Sequence, residues 1–99
     1  MKPRKARDIE AALLQKGFVK RSTHHNLFFL RVDGKITSIH TFLSHGIREY
    51  SDPLLAKMKS QLHLSAKELE SFIQCPLTFE KYISLLEERG ILENFRNRK

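Results

Sequence analysis

The chain has a single cysteine, Cys75, among its 99 residues. One thiol cannot close an internal disulfide, and it leaves no thiolate cluster for a metal. Of the five histidines, His24, His40 and His45 have neither paired carboxylates nor cysteine spacing beside them, so no metal site and no cofactor is expected. No apolar run approaches the roughly 18 residues of a membrane span. The start, MKPRKARDIE, is basic but has no apolar segment after it, so it does not read as a secretion signal. A cytoplasmic location without a membrane partner is the expectation. With three prolines and four glycines there is no low-complexity linker, and no internal repeat interrupts what reads as a single domain.

The first two thirds are poor in acid. Residues 1–63 hold 12 Lys/Arg against 5 Asp/Glu, whereas residues 64–99 hold 6 against 6. The whole net charge of +7 therefore belongs to the first part. Such a region favours a polyanion, and RNA or DNA is the commonest one in cytoplasm. The 40% hydrophobic and 29% charged residues are otherwise those of an ordinary globular protein.

ARDIEAALLQKGF has Ile9, Ala12 and Leu13 at helical spacing, with Gly17 placed to end the helix. FVKRS and HNLFFLRV read as strands. Asp33-Gly34 is a hairpin-turn signal, and the β-branched ITSIH returns as a third strand. Residues 41–50, TFLSHGIREY, read as an irregular connection. Ser51 is placed as an N-cap, with Pro53 in the first turn and Leu55, Met58 and Leu62 at helical spacing. Ser65 with Glu68 forms a capping-box pattern for AKELESFIQ, which Cys75-Pro76 breaks. Thr78 can cap a last helix that stops at Gly90, followed by a frayed ENFRNRK tail. The fold class is α+β. It is an α-β-β-β-α sandwich over residues 1–64, with two extra C-terminal helices in 65–99 packing on that core or on a second subunit.

These residues resemble the HicA toxin family. A short helix ending in Lys16-Gly17-Phe18 precedes a strand, then a small-residue pair stands before a histidine with alternating apolar positions. The matching positions are Arg21, Ser22, Thr23 and His24, with Leu27 and Phe29 beyond. SDPLLAKMKSQL, residues 51–62, is similar to the family's basic second helix, with Lys57 and Lys59 as its cations. The resemblance spans about residues 4–64. It departs at the family glycine, replaced here by Arg21 or Ser22, and in the 35 residues that follow. It implies a fold like the double-stranded RNA-binding domain, mRNA endoribonuclease activity, and silencing by a HicB-like antitoxin.

The residue types suit that chemistry. RNA cleavage without a metal needs the 2′-hydroxyl deprotonated and the leaving 5′-oxygen protonated. Imidazole, with an unperturbed pKa near ~6.5, serves either step. His24 is the candidate general acid/base. Lys20, Arg21 and Arg31 can offset charge on the phosphorane, and Ser22 and Thr23 can hydrogen-bond a phosphate. Asn26, His45, Lys57 and Lys59 complete the candidate RNA-binding set.

Strand parity leaves two alternatives open. His25, Leu27, Phe29 and Arg31 share one face, and His24, Asn26, Phe28, Leu30 and Val32 the other. The resemblance puts Leu27 and Phe29 against the helices and leaves His24 on an open face. Periodicity alone equally makes Phe28, Leu30 and Val32 the core and buries His24 beside them.

Two rival functions remain at this point. One is a non-catalytic RNA-binding or protein-interaction module on the same fold, or a homodimer through the uncovered apolar face. The other is a helix-turn-helix formed by the last two helices. The second of those helices carries Glu80, Glu87 and Glu88 against Lys81 and Arg89, a poor charge for a DNA groove.

Overall fold

The computed structural model describes residues 2–74 and 76–92. Cys75, expected to help break a helix, and the tail of residues 93–99, expected to fray, lie outside the described residues. In chain order the elements are β1 (Arg4–Lys5), α1 (Ala6–Gln15), β2 (Phe18–Ser22), β3 (Asn26–Val32), β4 (Lys35–Leu43) and β5 (Glu49–Tyr50). The helices α2 (Asp52–Leu62), α3 (Ala66–Gln74) and α4 (Phe79–Glu88) follow. The protein is thus α+β, with a three-stranded antiparallel sheet and four helices among the described residues. Among the described residues no helix is long and apolar enough to cross a membrane.

Local chemistry sets most of these boundaries. Helix α1 buries Ile9, Ala12 and Leu13 and gives way at Gly17, whose φ of +86° suits a residue without a Cβ. Strands β3 and β4 are joined by Asp33 and Gly34, both at positive φ, the two-residue turn whose twist matches the strands. The Ser65–Glu68 capping box closes in both directions, at 2.8 and 3.2 Å. Thr78 caps α4 by accepting from the Lys81 N–H at 3.2 Å. Ser51 takes the extended N-cap backbone of α2 but makes no side-chain cap bond.

The connection expected over 41–50 is more ordered than its sequence suggests. Thr41, Phe42 and Leu43 continue β4, because Thr41 and Leu43 keep its buried alternation. Glu49 and Tyr50 pair with Arg4 and Lys5. Tyr50 is buried, and its hydroxyl accepts from the Ser44 N–H at 2.7 Å, so the loop is tied at both ends.

The sheet order is β2-β3-β4, and parity resolves in one direction. Phe18, Phe28, Leu30, Val32, Ile39 and Leu43 are buried under the helices. Leu27 and Phe29, which the resemblance places against the helices, instead lie half-buried on the opposite face. The reason is Arg31, which shares their parity, together with Arg21, the register partner of Leu27 on β2. Reversing the strand would bury a guanidinium and lift three side chains out of the core, each worth about 1.5–3 kcal/mol.

Helices α3 and α4 complete this core. Phe18 meets Phe72 edge-on with ring centroids 6.0 Å apart and stacks on Tyr82 at 6.1 Å. The Tyr82 hydroxyl donates to the Leu62 carbonyl at 2.9 Å, at the C-terminal end of α2. Burial pushes that phenol well above its ordinary range, so it stays a donor throughout physiological pH. The cover over Phe28, Leu30 and Val32 therefore comes from the helical layer, and no element among the described residues covers the other, open face of the sheet.

Candidate nucleic-acid interface

The β2–β3 hairpin carries the histidine pair at its tip. Ser22 and Asn26 are the last register partners, and the Ser22 hydroxyl donates to Asn26 Oδ1 at 3.2 Å. The Thr23 N–H and hydroxyl both reach the His25 carbonyl, at 2.9 and 3.4 Å. These bonds close a three-residue loop, and His24 projects from it into solvent. It has no hydrogen-bond or ionic partner among the described residues. The antiparallel register sets Asn26 opposite Leu43, so the β4–β5 connection begins at the same end of the sheet. His45 sits on that connection with Nε2 3.4 Å from the Thr23 carbonyl oxygen. Ser22, Thr23, His24, Asn26 and His45 are thus brought together.

The remaining expected residues divide by face. Arg21 lies on the open face, its guanidinium 5.6 Å from the centroid of the Phe29 ring. Arg31 is exposed on the same face. Lys20 has the parity of Phe18 and is paired with Glu10 of α1 at 2.8 Å, which partly neutralises it. Lys57 and Lys59 belong to α2, on the helical side. Lys57 borders a shallow depression along β4 with Thr41, Ser44 and Gln61, and Lys59 is half-buried.

Two groups of residues escaped the sequence reading. The first is a set of rings on the open face. Phe29 stacks on His40 with centroids 5.1 Å apart and planes 22° from parallel, and His25 lies against Phe42 at 5.0 Å. The alternation of Leu27 and Phe29 with His40 and Phe42 was the available signal. The second is a basic groove where Lys5 and Arg7 meet Arg48, with Glu49 at its edge. It forms because the Ala6 N–H donates to the Arg48 carbonyl at 2.8 Å, and no local pattern announces that contact.

No family model, curated protein or solved structure matches the chain. Strands β2, β3 and β4 hold Lys20, Arg21, Arg31, Lys35 and His40 and no carboxylate, and the loops at one end add His24, His25 and His45. That balance, spread over a sheet with one open face, attracts phosphate-bearing ligands and repels cations. Among the described residues no three or more His, Cys, Asp or Glu side chains gather as a metal-binding group. The chemistry available at the tip is that of imidazole, hydroxyl and carboxamide, with the Arg21 guanidinium next along β2.

Proposed function

We propose that the protein binds RNA and is a HicA-like, metal-independent endoribonuclease with His24 as general acid/base. One observation carries this reading. His24 stands in solvent at the tip of a basic sheet, and a second loop brings His45 to the same tip. The chemistry needs two proton transfers. One imidazole takes the 2′-hydroxyl proton, and the 2′-oxygen attacks the adjacent phosphorus. The bond to the 5′-oxygen breaks, and that oxygen takes a proton from an imidazolium. A cyclic phosphate and a free 5′-hydroxyl result. The Asn26 amide NH2 donates to the phosphate, the Ser22 and Thr23 hydroxyls join it by turning from Asn26 and the His25 carbonyl, and Arg21 supplies charge.

The helix, three strands and helix over residues 6–62, with the helices on one face, accord with the double-stranded RNA-binding-domain-like fold of the HicA resemblance. A HicB-like antitoxin, the partner this reading implies, would act by covering the tip. The substrate would be cytoplasmic mRNA.

A second reading, a non-catalytic RNA-binding module, is favoured because no group among the described residues orients the His24 ring. Purified protein incubated with an mRNA separates the two. The nuclease reading expects cleavage by wild type and loss of at least 100-fold in His24→Ala, on the scale of general acid–base contributions of about 10²–10⁴. Equal cleavage by both proteins removes His24 from the mechanism. Binding without cleavage by wild type leaves the module.

A further inference from the structure

We propose that the open face of the β2-β3-β4 sheet is a stacking platform for the bases of single-stranded RNA, which it leads toward the His24 tip. This rests on the reading of the tip as an RNA site and names the form of RNA it takes.

The face has the required chemistry. Strands β2, β3 and β4 contain no Asp or Glu at all. Their open side presents Arg21 and Arg31 among the rings of Phe29, His40 and Phe42. Interleaved rings and cations are what a single strand needs, since each base offers a π-face and each nucleotide a phosphate. Ring pairs are also spaced along the strands. The pairs are His25 with Phe42 and Phe29 with His40, and because Leu27 stands opposite Phe42 and Phe29 opposite His40, the two rows are two residues, about 6.8 Å, apart. Each row can hold one base. The His25 ring against Phe42 then continues the track into the loop that carries His24.

The same geometry disfavours a duplex. In a helix the base faces are stacked on one another and cannot reach rings lying on a sheet. Self-association is disfavoured by charge. Two copies placed face to face would bring Arg21 and Arg31 of one against those of the other, with no carboxylate on β2, β3 or β4 to offset them. A polyanion with exposed bases fits both the charge and the rings.

The test uses a fluorescent 12-nucleotide oligouridine and a duplex of equal length, with full-length protein carrying His24→Ala so that the probe survives. Adding Phe29→Leu and Phe42→Leu keeps apolar area on the face and removes the rings. The single strand is expected to bind more tightly than the duplex, and the double substitution to weaken it at least ten-fold. Oligomers carrying 5-iodouridine, irradiated with the His24→Ala protein that keeps both phenylalanines, are expected to crosslink to Phe29, His40 or Phe42, a readout independent of the leucine variant's folding. Unchanged affinity in the leucine variant, duplex preference, or crosslinks confined to the helices would overturn the platform. A dimer in sedimentation that dissociates on Phe29→Leu would assign the face to a second copy instead. The two readings fail separately. Cleavage that survives His24→Ala removes the tip chemistry and leaves the platform. Cleavage lost on His24→Ala, with oligouridine binding unchanged by the two added leucine substitutions, does the reverse.

Discussion

Lys16 and Phe72 stand 56 residues apart in the chain, and the Lys16 Nζ donates to the Phe72 carbonyl oxygen at 2.9 Å. That carbonyl belongs to the last turn of α3, where no later helical N–H can satisfy it. The ammonium also lies 5.3 Å from the Phe72 ring centroid, and Lys16 is only 4% exposed. A lysine just past the end of α1 therefore holds α3 against it. Lys16→Ala removes both the packed stem and the carbonyl's partner. We expect a loss of about 2 kcal/mol, read from the urea midpoint. A midpoint equal to wild type would mean that α3 docks without this bond.

Gly17, the next residue, is constrained twice. Its φ is +86°, and a Cβ built there would sit 3.0 Å from Phe79 Cε1 and 3.2 Å from Cδ1. Gly34 has a similar φ of +79° with nothing within 4 Å of the same position. Gly34→Ala should therefore cost only the left-handed strain, about 1 kcal/mol, whereas Gly17→Ala adds displacement of the Phe79 ring. Thermal unfolding of the two variants compares them directly. Equal losses would mean that the ring yields freely.

Glu68 makes the joint between α2, α3 and α4 sensitive to acid. The Arg89 guanidinium and then the Ser65 N–H hold its carboxyl below the ordinary carboxylate range. Arg89 also donates to the His63 carbonyl at 2.8 Å, so the pair joins the end of α2 to α4. A carboxylate held low in the folded state contributes fully above about pH 4.5 and loses that contribution as pH falls through its folded value. Glu68→Gln should be less stable than wild type at pH 7, by about 1 kcal/mol or less for so exposed a pair. The gap should close on going to pH 3. Urea titrations at both pH values check it, and a gap that widens in acid would reverse the assignment.

The elements were legible because their signals are local. Gly17, Asp33-Gly34, Ser65 with Glu68, and Thr78 each fix a boundary through their own backbone or a neighbour three residues away. The pairing of Arg4–Lys5 with Glu49–Tyr50 joins segments more than 40 residues apart and leaves no pattern in either. The face of β3 needed a non-local fact too. Leu27 and Phe29 compete with Phe28, Leu30 and Val32 for the core, and only Arg21 on the neighbouring strand, added to Arg31, tips the balance. For the candidate site, Ser22, Thr23, His24 and Asn26 are close in sequence, and His45 reaches them only through the register of β4. The ring pair Phe29–His40 was hidden for the same reason.

The cations differ in what they can give to RNA, and salt dependence reads the difference. Arg21 and Arg31 have no carboxylate partner among the described residues, and both lie on the open face. Lys67 is exposed on α3, in the helical layer behind the sheet. Counterion release lowers log K against log salt by about 0.7 for each phosphate neutralised on a single strand. Arg21→Ala and Arg31→Ala should therefore each reduce the slope for an oligouridine by about 0.7, and the double variant by about twice that. Lys67→Ala should leave the slope as it is. The comparison is made in the His24→Ala background, between about 50 and 200 mM salt, a range wide enough to resolve one phosphate contact. Slopes that respond to Lys67 and ignore both arginines would move the RNA to the helices, and the open face would need another occupant.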